Sequence, residues 1–199
     1  MGLDHTQNPD LMAVARRVTD GLEPRNWILF LTLLAGWSVG GLQGIGWGAV
    51  SALFAAVLPA LFIKRGIVLG RWSDRHVGVI QHRLVVMAFI LTSVVTGIGL
   101  MVAFSAPRQL IALTVAMFAT LAVLTAITPK WKVSVHSAVS AGAIALLMLV
   151  IGPWLVVLAP LVALVGWSRV ALRDHTIGQV IVGAGLGVAI ATATYVAIV

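Results

Sequence analysis

The stretch Gly166-Trp167-Ser168-Arg169-Val170-Ala171-Leu172-Arg173-Asp174-His175-Thr176-Ile177-Gly178-Gln179 sets two arginines, an aspartate and a histidine between two long uncharged runs. Upstream, Pro129-Lys130-Trp131-Lys132 leads into Ser134-Val135-His136. Ionisable residues at the edge of a membrane-embedded bundle are costly and mark functional sites by default. These residue types suit phosphate chemistry. Cleaving a phosphate monoester needs charge neutralisation at the phosphoryl oxygens, a nucleophile and an acid for the leaving oxygen. Arginine supplies the first, because its planar fork donates paired hydrogen bonds to phosphate and keeps its charge. A neutral histidine can supply the second, and a protonated one the third.

The composition says where such a site must sit. Of 199 residues, 60% are hydrophobic and only 10% charged, and the mean hydropathy is +1.07. That is far outside the globular range and marks an integral membrane protein. With no cysteine, disulfides, thiolate nucleophiles and Cys-type zinc sites are excluded. A formal charge of +7 would suggest nucleic acid in a soluble protein. Here the basic residues stand in short loops between apolar runs, where membrane topology explains them. No nucleic-acid partner, metal cluster or cofactor is expected.

The elements that must position these residues follow from the apolar runs. Residues 1–26 form an N-terminal segment in which Pro9-Asp10 can open a helix with Leu11, Val14, Ala15, Val18 and Leu22 roughly on one face, expected along the membrane surface, a partly ordered tail being the alternative. No formal charge occurs from Asn26 to Ile63. One pass takes about 20 residues, so this run reads as two, turning near Gln43-Gly44-Ile45-Gly46, with Gly36 and Gly40 allowing close packing. A polar loop, 64–83, precedes passes at Leu84–Ala106 and Gln109–Thr128. Ser137 to Trp167 is again uncharged, and Gly152-Pro153 breaks it, since proline removes a helix hydrogen bond. Two short helices, 137–151 and 154–167, would return Arg169 to the membrane face of His136. Thr176–Val199 is the last pass, with Gly183 and Gly187 as a packing stripe. The count is seven, with six as the alternative. The N-terminus and loops 64–83, 129–136 and 168–175 then share one face. Of 13 Lys and Arg, only Arg108 falls on the other, so the positive-inside rule puts the shared face in the cytoplasm.

Ser168-Arg169, five residues, His175, three residues and Gln179 resemble the third signature of the type 2 phosphatidic acid phosphatase (PAP2) superfamily, Ser-Arg-x5-His-x3-Asp. Ser134-Val135-His136 is similar to the second signature, Pro-Ser-Gly-His. With Asp74-Arg75-His76-Val77 in the first polar loop, the pattern looks like a PAP2-related subgroup of actinobacterial membrane proteins, over roughly residues 64–199. The resemblance implies an all-α, PAP2-like transmembrane bundle at 27–199, in a bacterial plasma membrane. Its implied activity is that of a lipid-phosphate phosphatase acting on a phosphatidate-type or polyprenyl-type phosphate or pyrophosphate, among membrane lipids and with no metal. His175 would form a phosphohistidine, His136 would be the acid, and Arg169 would clamp the phosphate with help from Ser134.

The family's first signature, Lys-x6-Arg-Pro, has its nearest counterpart in His76-x6-Arg83-Leu84, with Arg75 beside it. Lys130 and Lys132 are the alternatives for its lysine. Where the family has an aspartate that accepts the histidine's N–H, this chain has Gln179, which keeps a carbonyl but lacks the charge. Asp74 and Asp174 are candidates for the missing carboxylate. A non-catalytic lipid-phosphate binder or transporter is the rival reading, and a phosphotransferase passing phosphate to an alcohol is a third.

Overall fold

The computed structural model describes residues 9–72 and 80–199. Asp74, Arg75 and the rest of the Asp-Arg-His-Val segment lie outside the described residues. Those described are helical, with no strand among them. Among the described residues, five helical stretches are long and apolar enough to cross a membrane, and the first, Pro9–Val68, is folded on itself.

Helix α1 (Pro9–Gly21) buries Ala15 and Thr19, one turn apart, against the later helix α7, and leaves Leu11 and Val14 exposed. Helix α2 (Pro24–Ala52) starts at a proline, whose missing N–H costs nothing at a helix N-terminus. It folds back at Gly40-Gly41, where Gly41 has φ 55° and ψ −134°, a conformation that side chains with a Cβ avoid. The turn expected near Gln43–Gly46 therefore falls earlier. Gly44 belongs to the contact between the arms: a Cβ there would sit 2.0 Å from Gly36 O, and one on Gly48 would sit 2.3 Å from Thr32 O. Gly40, expected in that contact, has nothing near it.

The returning arm passes through a π-helical turn, Leu53–Val57, into α3 (Leu58–Val68). Helices α4 (Ile80–Ala103) and α5 (Arg108–Ile127) form the next pair. Lys64, Arg65 and Arg83, expected in a loop, lie on the ends of α3 and α4 instead. Long basic side chains allow this because they can carry their charge from a helix end towards the interface. Helix α6 (Val135–Val150) stops at Gly152-Pro153, where Gly152 has φ 153°. A 3₁₀ segment, Pro153–Leu158, then feeds α7 (Ala159–Ala171), and α8 (Ile177–Ile198) closes the chain. Seven apolar rods thus run between the two ends of the bundle among the described residues. Their alternation brings the ends of α1, α3, α5 and α7 and the starts of α2, α4, α6 and α8 to one end.

Candidate functional site

The stripe on α8 brings the two sequence motifs together. A Cβ on Gly183 would lie 2.6 Å from Ser134 O, and one on Gly187 2.1 Å from Ala138 O. Only glycine permits this approach of α8 to α6. The two N-termini consequently lie side by side, and Ser134 N–H donates to Gln179 O at 3.2 Å. The loops before them are held together in turn.

Helix α7 ends in a tight turn with Arg173 at φ 57°. The N–H groups of Asp174 and His175 both turn back to Arg169 O, at 3.1 and 3.3 Å. This places the Asp174 carboxylate on the buried Arg169 guanidinium, Oδ2 to Nη2 2.9 Å. Ser168, fully buried, donates to Val165 O at 2.7 Å and accepts from Thr19 Oγ1 at 3.0 Å. The hydroxyl next to Arg169 thus ties α1 to α7.

His175 sits between two acceptors. Its Nδ1 lies 3.1 Å from Lys132 O and 3.2 Å from Gln179 Oε1. The same Oε1 accepts the Thr176 N–H at 3.1 Å, while Gln179 N–H donates to Thr176 Oγ1 at 3.3 Å. This reciprocal capping box orients the amide. With acceptors on both sides, Nδ1 carries the proton, and the neutral ring keeps its lone pair on Nε2. Burial first, then the Arg169 and Arg83 charges, lower the His175 pKa to about 4; Gln179's hydrogen bond opposes the shift, and Lys132 adds to it. At neutral pH the ring is uncharged.

A cavity of about 1220 Å³ opens beside it. Arg83, Lys132, His136, Arg169, Asp174 and His175 all line it. Arg83 also donates through Nη2 to Val133 O at 2.9 Å, which anchors α4 to the loop before α6. Ser134 and Gln179 do not line the cavity. Ser134 is fully buried behind the wall, and its hydroxyl oxygen caps α6, accepting from Ser137 N–H at 3.4 Å and Ser137 Oγ–H at 3.1 Å. Gln179 stands behind His175 and reaches the cavity only through that ring.

Arg16, Arg25 and Lys64 line the same mouth. The sequence offers them only as orientation signals, because nothing in local spacing relates α1, the start of α2 and α3 to the histidine motifs. Arg25 is paired with Glu23. Deeper, the lining formed by the described residues is apolar, with Leu31, Val94, Met117 and Leu146 typical of it. The mouth therefore attracts an anion and the depth an apolar group.

Among the described residues, no group of three or more His, Asp or Glu side chains is placed to hold a metal ion. No known family model, no curated protein and no solved structure matches the chain.

Proposed function

We propose that this chain is an integral membrane phosphatase of PAP2 type, removing phosphate from a lipid phosphate such as a phosphatidate-type or polyprenyl-type molecule. One observation carries the reading: a neutral histidine, held by its Nδ1–H, lies among Arg83, Lys132 and Arg169 at the mouth of a cavity whose depth is apolar. His175 Nε2 attacks phosphorus, the P–O bond to the lipid breaks, and His136 gives the leaving alkoxide its proton. Arg169, Arg83 and Lys132 neutralise the phosphoryl oxygens. Water then cleaves the phosphorus–nitrogen bond, releasing phosphate and restoring the ring. Gln179 and Lys132 O keep the ring oriented throughout. The excess of basic residues at this end of the bundle supports a site on the cytoplasmic face of the membrane.

The neutral Gln179 favours a second reading, a lipid-phosphate binder without turnover, since an amide stabilises a phosphorylated imidazole less than a carboxylate would. The purified protein should release inorganic phosphate from at least one of phosphatidate, polyprenyl phosphate and polyprenyl pyrophosphate. His175→Gln should abolish release and trapping of the phosphohistidine. Tight binding without release or trapping would establish the binder, and transfer of phosphate to an added alcohol would establish a phosphotransferase.

A further inference from the structure

The N-terminal hairpin carries no histidine and none of the three basic residues closest to His175, yet it builds much of the cavity. Its arms meet tightly where Gly36 and Gly48 face Gly44 and Thr32. Towards the cationic end they part. Ser51 Oγ shares a 2.8 Å hydrogen bond with Thr114 Oγ1 on α5, and Ser93 Oγ–H on α4 donates at 2.6 Å to Phe54 O within the π turn. A π turn frees carbonyls from the regular ladder and is frequent at functional sites. Beyond it, α3 is drawn onto α4: Phe62 stacks on Phe89 with centroids 4.0 Å apart, and Trp72 donates from Nε1 to Ile63 O at 2.9 Å. Trp72 also fills the space beside Gly66, where a Cβ would lie 1.8 Å from its ring. These contacts hold α3 on α4, and the cavity separates its Ala60 and Ile63 from Ile28 and Leu29 at the start of α2.

The space so opened runs inward from His136 to the level of Leu146. At the rise of an α-helix that is about 15 Å, roughly half of a ~30 Å hydrocarbon core. Small side chains, Ala55, Ala56 and Ala143, line its inner end. The hydroxyl of Thr120, also on the wall, is turned to its own helix, donating to Ala116 O at 2.9 Å. Among the described residues, nothing in the depth offers a charge to a polar ligand.

We infer that the splayed hairpin is the tail-binding wall of the site: the apolar chain of the lipid phosphate lies between α3 and the start of α2, its end against Ala56 and Ala143, which set the chain length accepted. This assignment rests on the phosphate head binding at His175. The occupant is the tail of that same amphiphile, because cationic mouth and apolar depth are one continuous space.

The test uses the full chain in nanodiscs containing a phosphatidate with a photoactivatable diazirine at its acyl terminus. Illumination should label peptides containing Ala56 or Ala143. Ala60→Trp, at a half-buried position on the wall, should reduce that labelling at least about ten-fold, the factor that roughly 1.4 kcal/mol of steric clash produces. Ile63→Trp serves if Ala60→Trp does not fold. Labelling confined to outward positions such as Leu42 and Trp154, or inner labelling indifferent to both tryptophans, overturns the assignment. Inner labelling that the tryptophans block, without phosphate release from any substrate, would keep the chamber and discard the phosphatase reading.

Discussion

Replacing Gln179 by glutamate tests the hydrogen bond that orients the candidate nucleophile. Glutamate has the same reach, so its carboxylate would occupy the position of Oε1, 3.2 Å from His175 Nδ1. It also preserves the capping box with Thr176, since glutamate suits that position as well as glutamine. A neutral hydrogen bond contributes about 1 kcal/mol and one to a charged partner about 1.5–3. The difference, about 0.5–2 kcal/mol, corresponds to roughly one pKa unit at 1.36 kcal/mol each. The His175 ring, at about 4 in the parent, should therefore titrate near about 5 in Gln179→Glu. Gln179→Leu, which removes a hydrogen bond that raises that pKa, should shift it further down. Histidine-selective nitrogen-15 labelling and NMR in detergent micelles follow the titration, and His175→Gln assigns the signal among the chain's 5 histidines. An unchanged titration in both variants would refute the Nδ1–Gln179 bond and with it the tautomer on which the nucleophile rests.

Three further outcomes follow from the same geometry. Because His175 titrates at about 4 when folded and near 6.5 when unfolded, the unfolded chain binds more protons between those values. Stability should thus fall as pH drops through that window, by up to about 3 kcal/mol; thermal unfolding in detergent should show this slope, and His175→Gln should flatten it. Gly187→Ala places a Cβ 2.1 Å from a backbone oxygen that cannot step aside, so it should destabilise by about 1–3 kcal/mol or more. Gly185→Ala, with nothing within 4 Å, should not, and equal melting temperatures would contradict the α6–α8 packing. Finally, in this cysteine-free chain, Lys130→Cys should resist membrane-impermeant thiol reagents in intact cells while Ser105→Cys is labelled; the reverse pattern places the site outside.

Much of the architecture was legible because it depends on single segments. Charge-free length separates the passes, Gly152-Pro153 interrupts its run, and the spacing of Gly183 and Gly187 marks the face that α8 presents. The parity of the passes then requires Arg83, Lys132, His136, Arg169 and His175 to share one end. What tertiary structure decided are the pairings between segments. Both glycine-rich stretches near residue 40 permit a turn, and only the fit of Gly44 against Gly36 O puts that turn at Gly40-Gly41. Gln179 is one helical turn from His175, so its role was open to a sequence reading. The second acceptor, Lys132 O, lies 43 residues away and fixes the ring's proton only through packing of α8 on α6. Likewise, the spacing that marks Ser134 as a site residue also suits a helix cap, and its complete burial commits the hydroxyl to the cap. The apolar chamber had no signature at all. Its walls come from α2 to α6 and α8, whose residues each read as ordinary membrane-embedded side chains, because an apolar residue facing lipid and one facing a cavity obey the same hydropathy.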